Sequence, residues 1–170
     1  MNSLKQYISE KFQVSKNNIK TYTCTCHPKD KDELIDCIID KIVEEGFGTE
    51  DKPLDLNDID TSEVTDMSGL FDVLDGRLLK LSENGNFDIS NWDVSNVKDM
   101  NNMFWGSGFD GDLSDWNVSK VENMNRMFEE SKFTAKNGDI SAWNVSNNIT
   151  MHNAFYHSPL EKNPPKWYKR

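Results

Sequence analysis

Apolar and polar positions repeat three times along the second half of the chain. Each copy begins with Trp-Asp/Asn-Val-Ser, at Trp92, Trp116 and Trp143, with a Met eight residues later and a Phe twelve residues later. The Trp-to-Trp spacing is 24 and then 27 residues, and a degenerate fourth copy begins at Ile59. A period of this length predicts stacked units, each of which buries its apolar face against its neighbours.

The hydrophobic period changes inside each unit. Trp92 and Val94 alternate with polar residues, as in a short β-strand. The apolar positions within 97–104 then fall three to four residues apart, as on one face of a helix, and Ser95 stands where a helix N-cap is expected. We therefore predict an α/β fold: a short right-handed repeat solenoid of about four strand–turn–helix coils with an N-terminal α/β cap.

Residues 1–50 are predicted to form this cap as helix, strand and helix. Apolar spacing indicates helices over 3–12 and 30–45, and alternation indicates a strand over 19–26. Gly46 stands where a C-terminal glycine cap of the second helix belongs.

The repeats are predicted over 51–157 and a C-terminal cap or tail over 158–170, which would cover the last unit. Insertions in repeat proteins project from one face and often contact partners. The units are placed at 54–71, 87–108, 109–132 and 133–157, with an insertion at 72–86.

The charge is unevenly distributed. The formal net charge of −10 combines −2 over 1–50, −11 over 51–160 and +3 over 161–170. An acidic body argues against direct nucleic-acid binding and favours either a basic partner face or a simple role in solubility. The N-terminus is too polar for a signal peptide and no apolar run approaches a membrane span, so we expect a cytoplasmic protein, in the host cytoplasm if it is phage-encoded.

Three cysteines, Cys24, Cys26 and Cys37, are confined to the predicted cap. Their odd number does not indicate a disulfide framework. With His27 they have the residue types of a zinc site, but the Cys-x-Cys spacing is poor for one. We expect all three to pack between strand and helix as small hydrophobic residues, with zinc binding and a catalytic thiol as weaker alternatives.

Two polar rows flank the Trp positions. On a strand they would point opposite to the indoles, toward solvent, whereas the indoles are expected in the core and not in an exposed ligand-binding ladder. Turn formation by the Asp and Asn side chains is one role for these rows, a protein-contact stripe is another, and calcium binding lacks the usual loop. The candidate partner contacts are Asp60, Asp93, Asp115 and Asn117, with Arg77 to Leu81 contributed by the insertion.

These motifs resemble the BspA-like bacterial repeat family, a divergent branch of the leucine-rich-repeat proteins. The resemblance rests on DISNWDVSNVKDMNNMF at 88–104, on DLNDIDTS at 55–62, on the closing SPLEKNPPKWY at 158–168 and on the lead-in at 27–34. It covers roughly 27–170 and implies binding without catalysis. Members are typically surface proteins of gut bacteria or mycoplasmas, or short proteins of phages and mobile elements.

The chain departs from the family pattern at its last unit. Asn148 occupies the position of Val97 and Val121, and Ala154 replaces a Met of the earlier units, so this unit is expected to be looser or adapted as an end. We also expect the chain to lack the secretion signal and lipid anchor of the surface members.

The sequence therefore favours a non-enzymatic protein–protein interaction module with an acidic repeat surface. No cofactor is expected, and the identity of the partner and the oligomeric state stay open. One alternative is a phage or mobile-element effector that inhibits a host protein, for example as a nucleic-acid mimic. Another is a component of a surface adhesin. An enzyme would need a nucleophile–base or carboxylate constellation, and the sequence offers none above background.

Overall fold

Regular secondary structure is short in this protein. The computed structural model describes residues 26–74 and 76–169. Its helices are α1, Lys31–Glu45, and α2, Leu79–Asn84, together with a 3-10 turn over Ile140–Ala142. Strands β1, Leu54–Asp55, and β2, Phe87–Asp88, form a parallel pair in which Leu54 lies opposite Phe87.

The helix predicted over 30–45 is confirmed. Asp30 is its N-cap and accepts a hydrogen bond of 2.9 Å from the Glu33 amide, while Gly46 ends it with a φ of 82°. One face is buried against the repeats, as its apolar spacing predicts: Leu34, Ile35, Ile38, Ile39 and Ile42. The helix predicted over 3–12 and the strand predicted over 19–26 lie outside the described residues, except for Cys26.

The predicted fold class, an α/β solenoid of four strand–turn–helix coils, is wrong. Among the described residues the repeats contain two strands of two residues each, at the starts of the first two units, and no α-helix. The segment 97–104, predicted as a helix, contains the bridge residue Asp99 and then turns over 101–104, and Trp92–Val94 is not a strand.

Left-handed backbone positions explain why no helix forms. Asn102, Arg126 and Asn153 have φ values of 55°, 55° and 57°, and a residue in this region interrupts a right-handed helix. The chain advances by β-turns instead, for example with the Met103 amide donating to the Met100 carbonyl at 3.2 Å. Such turns also bring every third side chain to one side, so their apolar spacing imitates that of a helix.

Backbone hydrogen bonds join each repeat to the next. Parallel bridges link Asp66 to Asp99, Asp99 to Asn123 and Asn123 to Thr150. Next to these bridges the Met124 amide donates to the Thr150 carbonyl at 2.7 Å. Equivalent turns of successive repeats therefore lie side by side and in register.

The indoles form a buried column, as expected. Trp92, Trp116 and Trp143 are 3%, 4% and 5% exposed. Each indole Nε1 donates to a carbonyl of the preceding repeat, and the acceptors are Leu56 at 2.9 Å, Ile89 at 3.2 Å and Leu113 at 2.9 Å. A parallel column of rings completes the core, with 5.3–5.6 Å between neighbouring centroids: Phe71, Phe104, Phe128 and Phe155.

The C-terminal tail covers part of the last repeat, as expected. Trp167 stacks on Trp143 with 5.6 Å between centroids, and its Nε1 donates to the Ile140 carbonyl at 2.8 Å. Tyr168 meets the Phe155 ring edge-on. The tail thus supplies one more indole to the column without adding another full repeat.

The insertion at 72–86 packs closely against the repeats. It contains α2, and the Gly108 amide donates to the Ser82 carbonyl at 2.8 Å. A Cβ on Gly85 or Gly108 would collide with the backbone of the other segment, so two glycines are needed where these segments cross.

Candidate functional site

The two polar rows predicted on either side of the indoles are exposed. Every member lies at the surface, whereas the Trp between the rows in each of the last three repeats is buried. One row consists of Asp58, Asn91, Asp115 and Ala142, and the other of Asp60, Asp93, Asn117 and Asn144.

Hydrogen bonds between repeats hold the first members of these rows in place. The Asn91 amide donates to Asn57 Oδ1 at 2.8 Å, and Thr61 Oγ1 donates to the Asp93 carbonyl at 2.9 Å. These bonds join the first repeat to the second at residues within or next to the rows. The acidic groups of the two repeats therefore have a fixed relative position.

Most side chains of the second row also stabilise turns, because each accepts a hydrogen bond from the backbone amide two residues later. Asp93 Oδ1 accepts from the Ser95 amide at 2.9 Å, and Asn117 Oδ1 accepts from the Ser119 amide at 3.2 Å. This is the local role that Asp and Asn often have in turns. In the described part of the chain Oδ2 of Asp93 and both carboxylate oxygens of Asp115 have no hydrogen-bond partner, so these exposed oxygens are available to another molecule.

Asp60 is the most strongly engaged member of the rows. Hydrogen bonds from the Ser62 side chain and amide, and then from His27, lower the pKa of Asp60 to about 2. His27 Nδ1 lies 2.8 Å from Asp60 Oδ2. Asp60 is therefore ionised at neutral pH, but part of its hydrogen-bonding capacity is used by the segment before α1.

Arg77 binds α1. Its Nη1 lies 2.7 Å from Asp32 Oδ1, and this contact lowers the pKa of Asp32 through a hydrogen bond and the positive charge. The guanidinium that we predicted as a partner contact is thus engaged within the protein. Leu81, at the end of the predicted loop contribution, is fully buried and not available to a partner.

The cysteine prediction needs correction, because Cys26 and Cys37 form a disulfide with 6.2 Å between their Cα atoms. Neither is the free, packed thiol that we expected, and as a disulfide they supply no thiolate ligand to zinc. Cys24 lies outside the described residues. Pairing was missed because an odd cysteine count with close spacing does not identify partners, whereas α1 brings Cys37 beside Cys26.

A second set of polar positions was not predicted. Asn123 Nδ2 donates to both carboxylate oxygens of Asp99, at 3.1 and 3.2 Å, and Thr150 Oγ1 lies 3.2 Å from Asn123 Oδ1. The available signal was the polar residue directly before a Met in each repeat. Since these side chains bond to one another, they stabilise the register of the repeats.

A cleft of about 540 Å³ lies at the C-terminal end of the repeats, between the last repeat and the tail. Its apolar lining comes from both parts, and polar side chains at its edge include Asn147, His152 and Lys169. The apolar residues are Val145, Ile149, Met151, Phe155, Trp167 and Tyr168. Nothing in the sequence pattern indicated this cleft.

The fold and the exposed rows define a repeat protein whose units are joined by backbone hydrogen bonds. A family model described as "Mycoplasma protein of unknown function, DUF285" matches residues 43–167, and the chain belongs to this family. Comparisons with curated proteins and with solved structures found no match. In the described residues no helix is long and apolar enough to cross a membrane.

Proposed function

We propose that this chain is a non-enzymatic protein-binding module that presents its acidic rows to a basic face of a protein partner. The observation that supports the proposal most directly is the exposure of Asp93 and Asp115 on either side of a buried indole column. The buried column fixes the backbone beneath the carboxylates, so little backbone ordering is needed when a partner binds.

Charge supports the same proposal. Residues 51–160 carry most of the negative charge of a chain whose net charge is −10. Complementary charge accelerates association and disfavours partners of the same sign. In line with its resemblance to the BspA-like repeats, we propose recognition through a surface to which several repeats contribute.

The cellular location is a separate part of the proposal. We expected a cytoplasmic protein, but disulfides persist mainly in oxidising compartments. The Cys26–Cys37 disulfide therefore favours a location outside a reducing cytosol. The thiol state of the protein in its native cells distinguishes the two locations.

The binding proposal is tested by charge reversal with a charge-matched control. The test variant is Asp93→Lys with Asp115→Lys, and the control is Glu44→Lys with Glu83→Lys, which makes the same charge change at exposed helix positions. Each tagged variant is used to capture proteins from a lysate of the native host, with quantitation by mass spectrometry.

The test variant should lose partners that wild type and control retain, and the loss should be larger at low salt because exposed charges are screened as ionic strength rises. Circular dichroism should show an intact fold, since surface substitutions usually change stability by about 0.5 kcal/mol or less. Equal capture by wild type and test variant at every salt concentration would show that the rows are not the interface.

A further inference from the structure

The last repeat has backbone amides at the positions where each earlier repeat donates hydrogen bonds to the next repeat. In the third repeat alternate amides donate to the fourth, for example from Arg126 to the His152 carbonyl at 2.9 Å and from Phe128 to the Ala154 carbonyl at 2.8 Å. Within the described residues the tail, and not a further repeat, follows the fourth repeat. Within 26–74 and 76–169, three equivalent amides therefore have no hydrogen-bond partner: Met151, Asn153 and Phe155.

The cleft lies along this edge. Met151, Asn153 and Phe155 all line it, and Trp167 and Tyr168 form the opposite part of its lining. The tail places Trp167 on the indole column but provides no backbone carbonyls for the three amides. The cleft is thus the space that another extended segment would occupy.

Two apolar side chains indicate that this space suits a peptide. Val145 corresponds to Val94 and Val118, which are 1% exposed, but it is only partly buried and lines the cleft. Ile149 stands where the two preceding repeats have exposed Lys98 and Glu122. A hydrophobic residue replaces a charged one where the next repeat is missing, and it provides an apolar surface for an incoming side chain.

The hydrogen-bonding groups restrict what can bind. Three donors at alternate residues require carbonyl acceptors at a matching spacing, which an extended chain provides. Two copies of this edge do not satisfy each other, because each presents donors at these positions. The opposite end of the repeats is covered by α1, where Lys31 Nζ donates to the Ser68 carbonyl at 2.8 Å. Head-to-tail pairing of two copies would therefore displace α1.

Charge indicates the chemistry of the bound peptide. Residues 161–170 carry a net charge of +3 in a chain of net charge −10. Two charged side chains line the cleft, Glu161 and Lys169. Glu161 Oε2 accepts from the His157 amide at 3.2 Å, whereas Lys169 Nζ lies 3.2 Å from the uncharged Asn147 Oδ1. An acidic segment complements this end of the protein.

We propose that the C-terminal cleft binds an acidic, extended peptide segment of another protein. The peptide carbonyls accept hydrogen bonds from the amides of Met151, Asn153 and Phe155, its apolar side chains contact Ile149, and a carboxylate pairs with Lys169. This site is separate from the acidic rows, which would bind a basic partner, so either proposal can fail without the other.

The probes are two fluorescein-labelled capped peptides of four dipeptide units each, one alternating Glu with Val and the other alternating Lys with Val. Fluorescence polarisation measures their binding to the full chain, and NMR measures amide hydrogen exchange in the same samples. In the free protein the three edge amides should exchange faster than those of Met124, Arg126 and Phe128, which pair with the next repeat.

The Glu–Val peptide should bind about tenfold more tightly than the Lys–Val peptide and should slow exchange of the three amides. Ile149→Ser, which removes the apolar contact without changing the charge, and Lys169→Glu should each weaken binding about tenfold. The control Lys166→Glu changes the same charge outside the cleft lining and should bind as wild type does.

Several outcomes would overturn the proposal. One is slow exchange of the three amides in dilute free protein. Another is binding of the Glu–Val peptide without slower exchange of these amides. A third is equal affinity of this peptide for wild type, Ile149→Ser and Lys169→Glu. If protection of these amides instead rises with protein concentration, alongside a dimer in light scattering, a second copy occupies the cleft and the proposed partner is wrong.

Discussion

Replacing Trp116 tests whether the indole column holds the repeats together. Its side chain is 4% exposed, its Nε1 donates to the Ile89 carbonyl at 3.2 Å, and its ring lies 6.4 Å from that of Phe104. Trp116→Ala removes the packing and the hydrogen bond together, so the free energy of unfolding should fall by about 3–5 kcal/mol. For a chain of this size, the melting temperature should fall by about 6–20 °C.

Trp116→Phe separates the two contributions. It keeps an aromatic ring in the column but leaves the Ile89 carbonyl without the indole donor. The Ile89 carbonyl still accepts from the Trp92 amide at 3.1 Å, so the variant loses one hydrogen bond, worth about 0.5–1.5 kcal/mol. It should be destabilised less than Trp116→Ala and more than a surface variant. Leu74→Ala is the surface control, because Leu74 is 74% exposed and its truncation should change stability by about 0.5 kcal/mol or less.

The assay is urea denaturation followed by circular dichroism, which avoids overlapping fluorescence from the five tryptophans. The expected order of stability is wild type and Leu74→Ala, then Trp116→Phe, then Trp116→Ala. If Trp116→Ala unfolds at the same urea concentration as Leu74→Ala, the indole is not part of the core. If Trp116→Phe equals wild type, the indole hydrogen bond does not contribute to stability.

Two further predictions concern the start of the described chain. Without reductant, Cys37→Ser should lower the free energy of unfolding by about 3 kcal/mol, because it opens the loop closed by the Cys26–Cys37 disulfide. Thiol titration of unfolded, unreduced wild type should detect one of the three cysteines as a thiol, and detection of three thiols would exclude the disulfide. The folded-state pKa of Asp60, about 2, lies below its ordinary value of 3.8, so its ionised form stabilises the fold above about pH 4 and this contribution is lost as pH falls toward 2. The difference in unfolding free energy between wild type and Asp60→Asn should therefore shrink over that range, and a constant difference would contradict the assignment.

Sequence patterns predicted α1 and the indole column for clear physical reasons. The apolar face of α1, its Asp30 cap and its Gly46 end agree with one another, so the local pattern alone determines the helix. The three Trp positions recur at the same place in each repeat, and burial follows because stacking covers each indole.

Spacing alone did not reveal the conformation inside the repeats. The apolar positions of 97–104 fit a helix and a series of β-turns equally well. Asn102 and Asn153 are residues that tolerate a left-handed conformation, but Arg126 adopts it too, with a φ of 55°. The hydrogen bonds to the next repeat hold Arg126 there, and such contacts are not visible in a single repeat.

The sequence predicted which polar rows are exposed, but not the hydrogen bonds and ion pairs that the candidate contact residues form within the protein. Asp60 bonds to His27, 33 residues earlier, and Arg77 bonds to Asp32, 45 residues earlier. These pairs depend on how α1 packs against the first repeat. The cleft was missed for a related reason, since it arises where the series of repeats stops and not from a motif.

The two ends of such a series differ chemically, because one exposes carbonyls and the other exposes amides. A cationic side chain satisfies a carbonyl, and Lys31 does so for Ser68 at the first repeat. Amides need an acceptor, and at the last repeat Glu161 Oε2 accepts from the His157 amide at 3.2 Å. The same tail that supplies this carboxylate provides no acceptor for the amides of Met151, Asn153 and Phe155, and within the described residues no other acceptor reaches them. A partner with acidic and carbonyl groups would complete the termination that the tail begins, which is why binding at this end should slow exchange of those amides.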